Sequence, residues 1–123
     1  MRVLVTGAAG FIGMSLSRRL LARGDSVVGI DNLNDYYQVS LKEDRLALLR
    51  AEGGDAFRFH RIDFSDMAAL EAALRDEHFD RIVHLGAQAG VRYSIENPHA
   101  YAQANLVWHL NMLEIARHRG VEQ

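Results

Sequence analysis

A chain of 123 residues, 49% apolar, is long enough for one packed domain and too short for two. A formal charge of −2 supplies no basic stripe for nucleic acid, and no run is apolar for long enough to cross a membrane. With no Cys, disulfides, thiol catalysis and thiolate metal sites are excluded, which fits a cytoplasmic protein.

The first apolar run, Val3-Leu4-Val5, predicts a strand over about residues 2–5 that leads directly into Thr6-Gly-Ala-Ala-Gly-Phe-Ile-Gly13. Glycines three apart between a strand and a helix each have a physical role. Gly7 suits a turn too tight for a side chain, Gly10 lets the backbone approach a pyrophosphate, and Gly13 lets the helix lie close to the strand. The free N–H groups at the helix start then face the anion. An ordinary turn can carry the same glycines, so the context decides. The first helix, about 11–23, spaces Ile12, Leu16 and Leu20 four apart and stops at Gly24. Val27-Val28-Gly29-Ile30 predicts a second strand, about 26–30, ending on Asp31, eighteen residues past Gly13, where an acid would accept ribose hydroxyls. A strand-end Asp is also a common turn former. No Arg follows it to hold a 2′-phosphate.

A long connection, Asn32 to Tyr37, leads to Ser40-Leu-Lys-Glu43, read as a capping box that opens a helix to about Arg50, broken at Gly53-Gly54. A third strand, about 57–62, ends at Asp63. A helix over about 66–78 sets Met67, Leu70 and Leu74 on one stripe, and Arg81-Ile-Val-His-Leu85 is the fourth strand. Asn97 as N-cap and Pro98 in first position open a last helix that runs to about Arg119, before Gly120. Gly120 to Gln123 then read as the beginning of a fifth strand. This alternation predicts an α/β fold: half of a doubly wound, Rossmann-like parallel sheet of order 3-2-1-4, with helices on both faces. Residues 1–123 form a single dinucleotide-binding domain that stops short of the fifth strand of such a sheet.

The spacing Gly7-x-x-Gly10-x-x-Gly13 resembles the extended short-chain dehydrogenase/reductase family. Asp31-Asn32, Asp63-Phe64 and His84-Leu85-Gly86-Ala87 look like that family's contacts to ribose, adenine and the nicotinamide side. Gln88-Ala-Gly-Val-Arg-Tyr-Ser94, Glu96-Asn-Pro98, Asn105-Leu-Val107 and Asp31-Asn-Leu-Asn-Asp-Tyr-Tyr37 are similar more narrowly to UDP-glucuronate 4-epimerases and related nucleotide-sugar epimerases. The resemblance covers essentially the whole chain, and about the first third of such an enzyme. It implies NAD as cofactor, held by Gly7, Ala9, Gly10, Phe11, Ile12, Gly13, Asp31, Asn32, Asp63, Phe64, Leu85, Gly86, Ala87 and Asn105, and a nucleotide sugar as the parent enzyme's substrate.

The resemblance also implies a general-base Tyr followed four residues later by Lys. Of 14 basic residues, only Lys42 is Lys, and Gln38 stands four before it. The pair is absent, so no catalytic residue is expected in this chain and it should be inactive by itself. The alternative reading is a non-catalytic dinucleotide-binding or sensing module of the same fold; another is a structural remnant that binds nothing. Gly86 stands where the family has Ala. Trp108 stands where it has Gly, and an indole there is expected either to strain the docking of the last helix or to push it outward.

Arg92, after the fourth strand, could hold a diphosphate or a sugar carboxylate through two parallel hydrogen bonds, or be a solvated loop residue. Tyr36 and Tyr37 either cover the adenosine end of the cofactor or pack the long loop. His84, inside an apolar strand, reads as a core histidine, and no histidine spacing argues for a metal. An uncovered fourth strand and the apolar flank of the last helix predict a homo-oligomer, with Trp108 available to the contact.

Overall fold

The computed structural model describes all residues from Met1 to Gln123. Four short segments form β1 (Arg2–Thr6), β2 (Ser26–Asp31), β3 (Phe57–Arg61) and β4 (Arg81–His84); β1 and β2 hold apolar runs, while β3 alternates Phe57 and Phe59 with polar residues. They pair in the order β3-β2-β1-β4, all parallel, because a helix separates each strand from the next. The helices are α1 (Phe11–Ala22), α2 (Val39–Gly53), α3 (Met67–Leu74), α4 (Val91–Glu96), α5 (Pro98–Ala102) and α6 (Trp108–Arg119).

Alternation along β1 sends Val3 and Val5 to one face of the sheet and Leu4 to the other. The first pair packs with Leu20 of α1 and with Leu46 and Leu49 of α2. Leu4 packs with Leu70 and Leu74 of α3 and with Trp108, Met112 and Ile115 of α6. Helices therefore cover both faces, as the sequence pattern predicts. Each buried leucine or isoleucine contributes about 1.5–3 kcal/mol, so these two layers hold the sheet without any covalent cross-link.

Several local expectations are corrected. Ile12 is 67% exposed while Leu20 is buried, because the first turn of α1 projects past the sheet edge and its apolar side chains face a cleft. Ser40 does not cap: α2 begins at Val39, which puts Ser40 inside the helix, and Gln38 before it offers no side-chain bond. Residues 91–96, which no predicted element covers, form α4. Asn97 does cap, accepting the Ala100 N–H at 3.2 Å, and Gly120 ends α6 at φ 63°. Between α5 and α6, however, the helix widens into a π turn, Gln103–Val107.

Trp108 follows that wide turn and points inward, 7% exposed, its ring centroid 4.9 Å from that of Phe64 in a T-shaped contact. The indole neither forces α6 away nor lies free for another chain. It is part of the core, seated by an edge-to-face geometry that aromatic pairs prefer. Along β4, the Ile82 N–H donates to the Gln123 carbonyl at 2.9 Å and Arg81 pairs with Glu122 at 3.0 Å. The C-terminal residues thus lie beside β4, where a fifth strand belongs, and the β4 edge is partly covered rather than open along its length.

Candidate functional site

The carboxyl ends of the strands open on a cavity of about 530 Å³, bounded by the glycine turn, the loops after β2 and β4, and the start of α2. Its shape depends first on Gly7 and Gly13. Gly7 has φ +68°, a left-handed conformation, and a Cβ there would come 3.0 Å from the Leu85 carbonyl group. A Cβ on Gly13 would run into the Gly7 carbonyl, so α1 approaches β1 only because position 13 has no side chain. No side chain caps α1 and no acid stands in its first turn. Its first N–H groups, from Phe11 to Gly13, are left to an outside acceptor at the positive end of the helix dipole.

Asp31 is fixed against this turn. Its Oδ2 accepts the Ala9 N–H at 3.2 Å and its Oδ1 accepts the Leu33 N–H at 2.8 Å, and the side chain is almost wholly buried. A carboxylate has about four acceptor positions, so two remain for ligand hydroxyls. Lys42 Nζ lies 3.8 Å from Asp31 Oδ1 and donates to Asn34 Oδ1 at 3.2 Å. Arg45 Nη1 donates to the Ala9 carbonyl at 3.2 Å. Both cations line the cavity. Sequence reasoning missed them as site residues; the available signal was their spacing of three, which puts them on one face of α2 opposite Asp31.

Thr6 ties the two sides together. Its buried Oγ1 accepts the N–H groups of Leu85 (3.0 Å) and Gly86 (3.1 Å). The hydroxyl hydrogen then goes to His84 Nδ1, 2.7 Å away, which makes His84 an acceptor there and places its proton on Nε2. Burial, and next the nearby His109, hold the His84 pKa below the ordinary imidazole value. The two rings lie 5.5 Å apart, and no group of three or more His, Asp or Glu gathers here or elsewhere.

The cavity wall includes Gly7, Gly10, Phe11, Ile12 and Gly13 from the turn, Asp31 and Asn32 after β2, Phe64 after β3, and Leu85, Gly86 and Ala87 after β4. Tyr36 and Tyr37 also line it, edge to face at 4.9 Å. Ala9 lies behind the wall and acts through its N–H on Asp31. Asp63 is exposed, with Oδ1 accepting from Ser65, and is not on the wall. Asn105 is a clamp: its amide accepts the Gln88 N–H at 3.0 Å and donates to the Gln88 carbonyl at 3.3 Å, fixing the loop after β4. Arg92 stands exposed on α4, outside the cavity wall.

Residues 4–123 match the family described as GDP-mannose 4,6 dehydratase. The chain belongs to this family. Within it, the chain is 50% identical over 117 residues to a probable UDP-glucuronate 4-epimerase of Rhizobium meliloti, covering 95% of this chain and 34% of that protein. The crystal structure of UDP-glucuronic acid 4-epimerase from Bacillus cereus, in complex with UDP-glucuronic acid and NAD, superposes with a TM-score of 0.83. It is 35% identical, over 99% of this chain and 38% of that one. UDP-glucose 4-epimerase of Thermus thermophilus, in complex with NAD, gives a TM-score of 0.80 at 38% identity, over 99% of this chain and 35% of that one. The chain therefore spans about a third of the length of these relatives. No helix is long and apolar enough to cross a membrane.

Proposed function

We propose that this chain is the NAD(H)-binding N-terminal part of a nucleotide-sugar 4-epimerase acting on a UDP-glucuronate-like substrate. The observation that carries the reading is the junction of two features at one cavity. The uncapped start of α1 offers backbone N–H groups to a diphosphate, and Asp31, bonded to the Ala9 N–H of the same turn, keeps free acceptor positions for ribose hydroxyls. Lys42 and Arg45 add positive charge on the same wall. Asn105 and Thr6 hold the β4 loop as the opposite wall. Bound NAD supplies a hydride acceptor and donor; the residues of this chain hold and orient it.

The chain by itself is inactive in this reading. Lys42 is engaged with Asp31 and Asn34 and has no Tyr four residues before it. Desolvation, and then Tyr36, Tyr37 and Tyr93, push Tyr101 above the ordinary phenol value, the wrong direction for a general base. We also assign a homo-oligomer. Leu106, Leu110 and Leu113 are each more than half exposed and recur at helical spacing on one flank, a surface that a second copy would cover.

Isothermal calorimetry on the folded chain tests the cofactor reading. NAD and ADP-ribose should both bind, with similar affinity, because the contacts lie at the adenosine diphosphate end. No heat from either ligand at millimolar concentration would overturn it.

A further inference from the structure

Thr6 fixes the wall of the cavity after β4, and a count of its bonds shows what it demands of His84. A hydroxyl has two acceptor lone pairs and one hydrogen to donate. Both lone pairs of Thr6 Oγ1 are taken, by the Leu85 N–H at 3.0 Å and the buried Gly86 N–H at 3.1 Å, so its hydrogen goes to His84 Nδ1, 2.7 Å away. That last bond exists only while Nδ1 is bare. A doubly protonated His84 presents a hydrogen from either nitrogen, so turning the ring does not restore the bond, and Thr6 Oγ1 has no lone pair left for a third donor. Either a backbone N–H gives way, or the imidazole swings off and leaves the hydroxyl without an acceptor. A shift of the Leu85–Gly86 peptide is felt at the glycine turn, because a Cβ on Gly7 would come 3.0 Å from the Leu85 carbonyl and 3.1 Å from the Gly86 nitrogen. His84 is also within reach of protons from solvent. It is partly exposed and lines, with Asn105 and His109, an open cavity of about 310 Å³. Among the groups that face it, Thr6 of β1, Phe64 after β3 and Asn105 before α6 carry no charge, and His109 of α6 is the one that titrates. Burial, and then His109, favour the neutral ring.

We propose that His84 is a positioning residue of the dinucleotide site: its bare Nδ1 orients the Thr6 hydroxyl that holds the Leu85–Gly86 peptide against the glycine turn, and uptake of a proton by His84 loosens that hold and weakens the ligand. The inference rests on the dinucleotide reading above and adds a pH-dependent control to it. By linkage, a ligand that needs neutral His84 binds fully above the ordinary imidazole value of about 6.5 and loses affinity as the pH falls toward the pKa of the folded chain. A histidine that served packing alone would change stability and leave affinity untouched.

Calorimetry with ADP-ribose from pH 8 downward, over the range in which the chain stays folded, tests this, because the charge of the ligand's diphosphate does not change there. Affinity should hold steady to about pH 6.5 and then fall, by about three- to tenfold once His84 is protonated, the range of one hydrogen bond. NMR should place that fall at the titration of the His84 ring itself, with the Leu85 and Gly86 amides shifting alongside. His84→Leu removes the acceptor and should bind ADP-ribose more weakly at every pH. His84→Asn offers Oδ1 as an acceptor that does not titrate, and should recover the affinity seen at pH 8 and keep it as the pH falls. An affinity unchanged across the His84 ring titration, or one that falls equally in a folded His84→Asn chain, overturns the inference and leaves the dinucleotide site standing. If the variants do not fold, the ring titration of the unaltered chain set against its affinity decides. No binding at pH 8 overturns both readings.

Discussion

Asp31 illustrates how one carboxylate can serve the fold and a ligand together. Its two backbone donors, from Ala9 and Leu33, fix the turn and the loop after β2, and its remaining acceptor positions are free for hydroxyls. Asp31→Ala should therefore weaken ADP-ribose by about 1–3 kcal/mol in calorimetry and also lower stability, since two buried N–H groups lose their acceptor. Its position was legible from its distance to the glycine turn. Lys42 and Arg45 were not, because they reach the cavity from a helix whose orientation depends on Leu46 and Leu49 in the core. His84 carries a pH signature. Burial, then His109, depress its folded pKa, so an unfolded chain binds more protons once the pH falls below the ordinary imidazole value of about 6.5. Stability from this residue is complete above that pH and is lost as the pH drops toward the folded pKa. Thermal unfolding between pH 7.5 and 5.5 should show the decline, and His84→Asn should flatten it; equal slopes in the two chains would contradict the assignment.

At the scale of elements, the site joins core side chains such as Phe64 to a turn that outruns the sheet. The first turn of α1 exposes Ile12 although its sequence spacing places it with Leu16 and Leu20. A periodic stripe identifies the buried face of a helix, and it does not mark where the helix outruns the sheet. Local signals were similarly mixed at caps: Asn97 before Pro98 was read correctly, while the Ser40 to Glu43 pattern was overridden by an earlier helix start. The π turn at Gln103–Val107 has no periodic signature, yet it precedes the seating of Trp108 and contains Asn105 itself. Asn105→Ala should free the Gln88 backbone, raising amide exchange at Gln88 and Ala89 and weakening ADP-ribose, with little change in the thermal midpoint because the residue is exposed. Unaltered exchange at those amides would remove Asn105 from the account.

At the scale of the whole molecule, the strand order and the helices on both faces were legible because the inner strands β1 and β2 hold short apolar runs and every crossover is helical. The quaternary expectation changes in detail. Trp108 is internal, and Gln123 already takes one bond on the β4 edge, so the proposed assembly would use the exposed flank of Leu106, Leu110 and Leu113. Light scattering should report a dimer or larger assembly at micromolar to near-millimolar concentration, and Leu110→Lys should shift it to monomer without lowering the unfolding midpoint. A monomer throughout would refute the assembly. A coupled assay should show no epimerisation of UDP-glucuronate with saturating NAD, and turnover that follows the chain through purification would require another base.

The central claim is that the bare start of α1 holds a diphosphate while Asp31 holds the neighbouring ribose. Amide-resolved NMR during titration with ADP-ribose addresses it most directly. The N–H resonances of Phe11, Ile12 and Gly13 should shift together, with Leu33 and Ala9 following through Asp31, and all should saturate at one dissociation constant. Binding that leaves those five amides unmoved would contradict the claim.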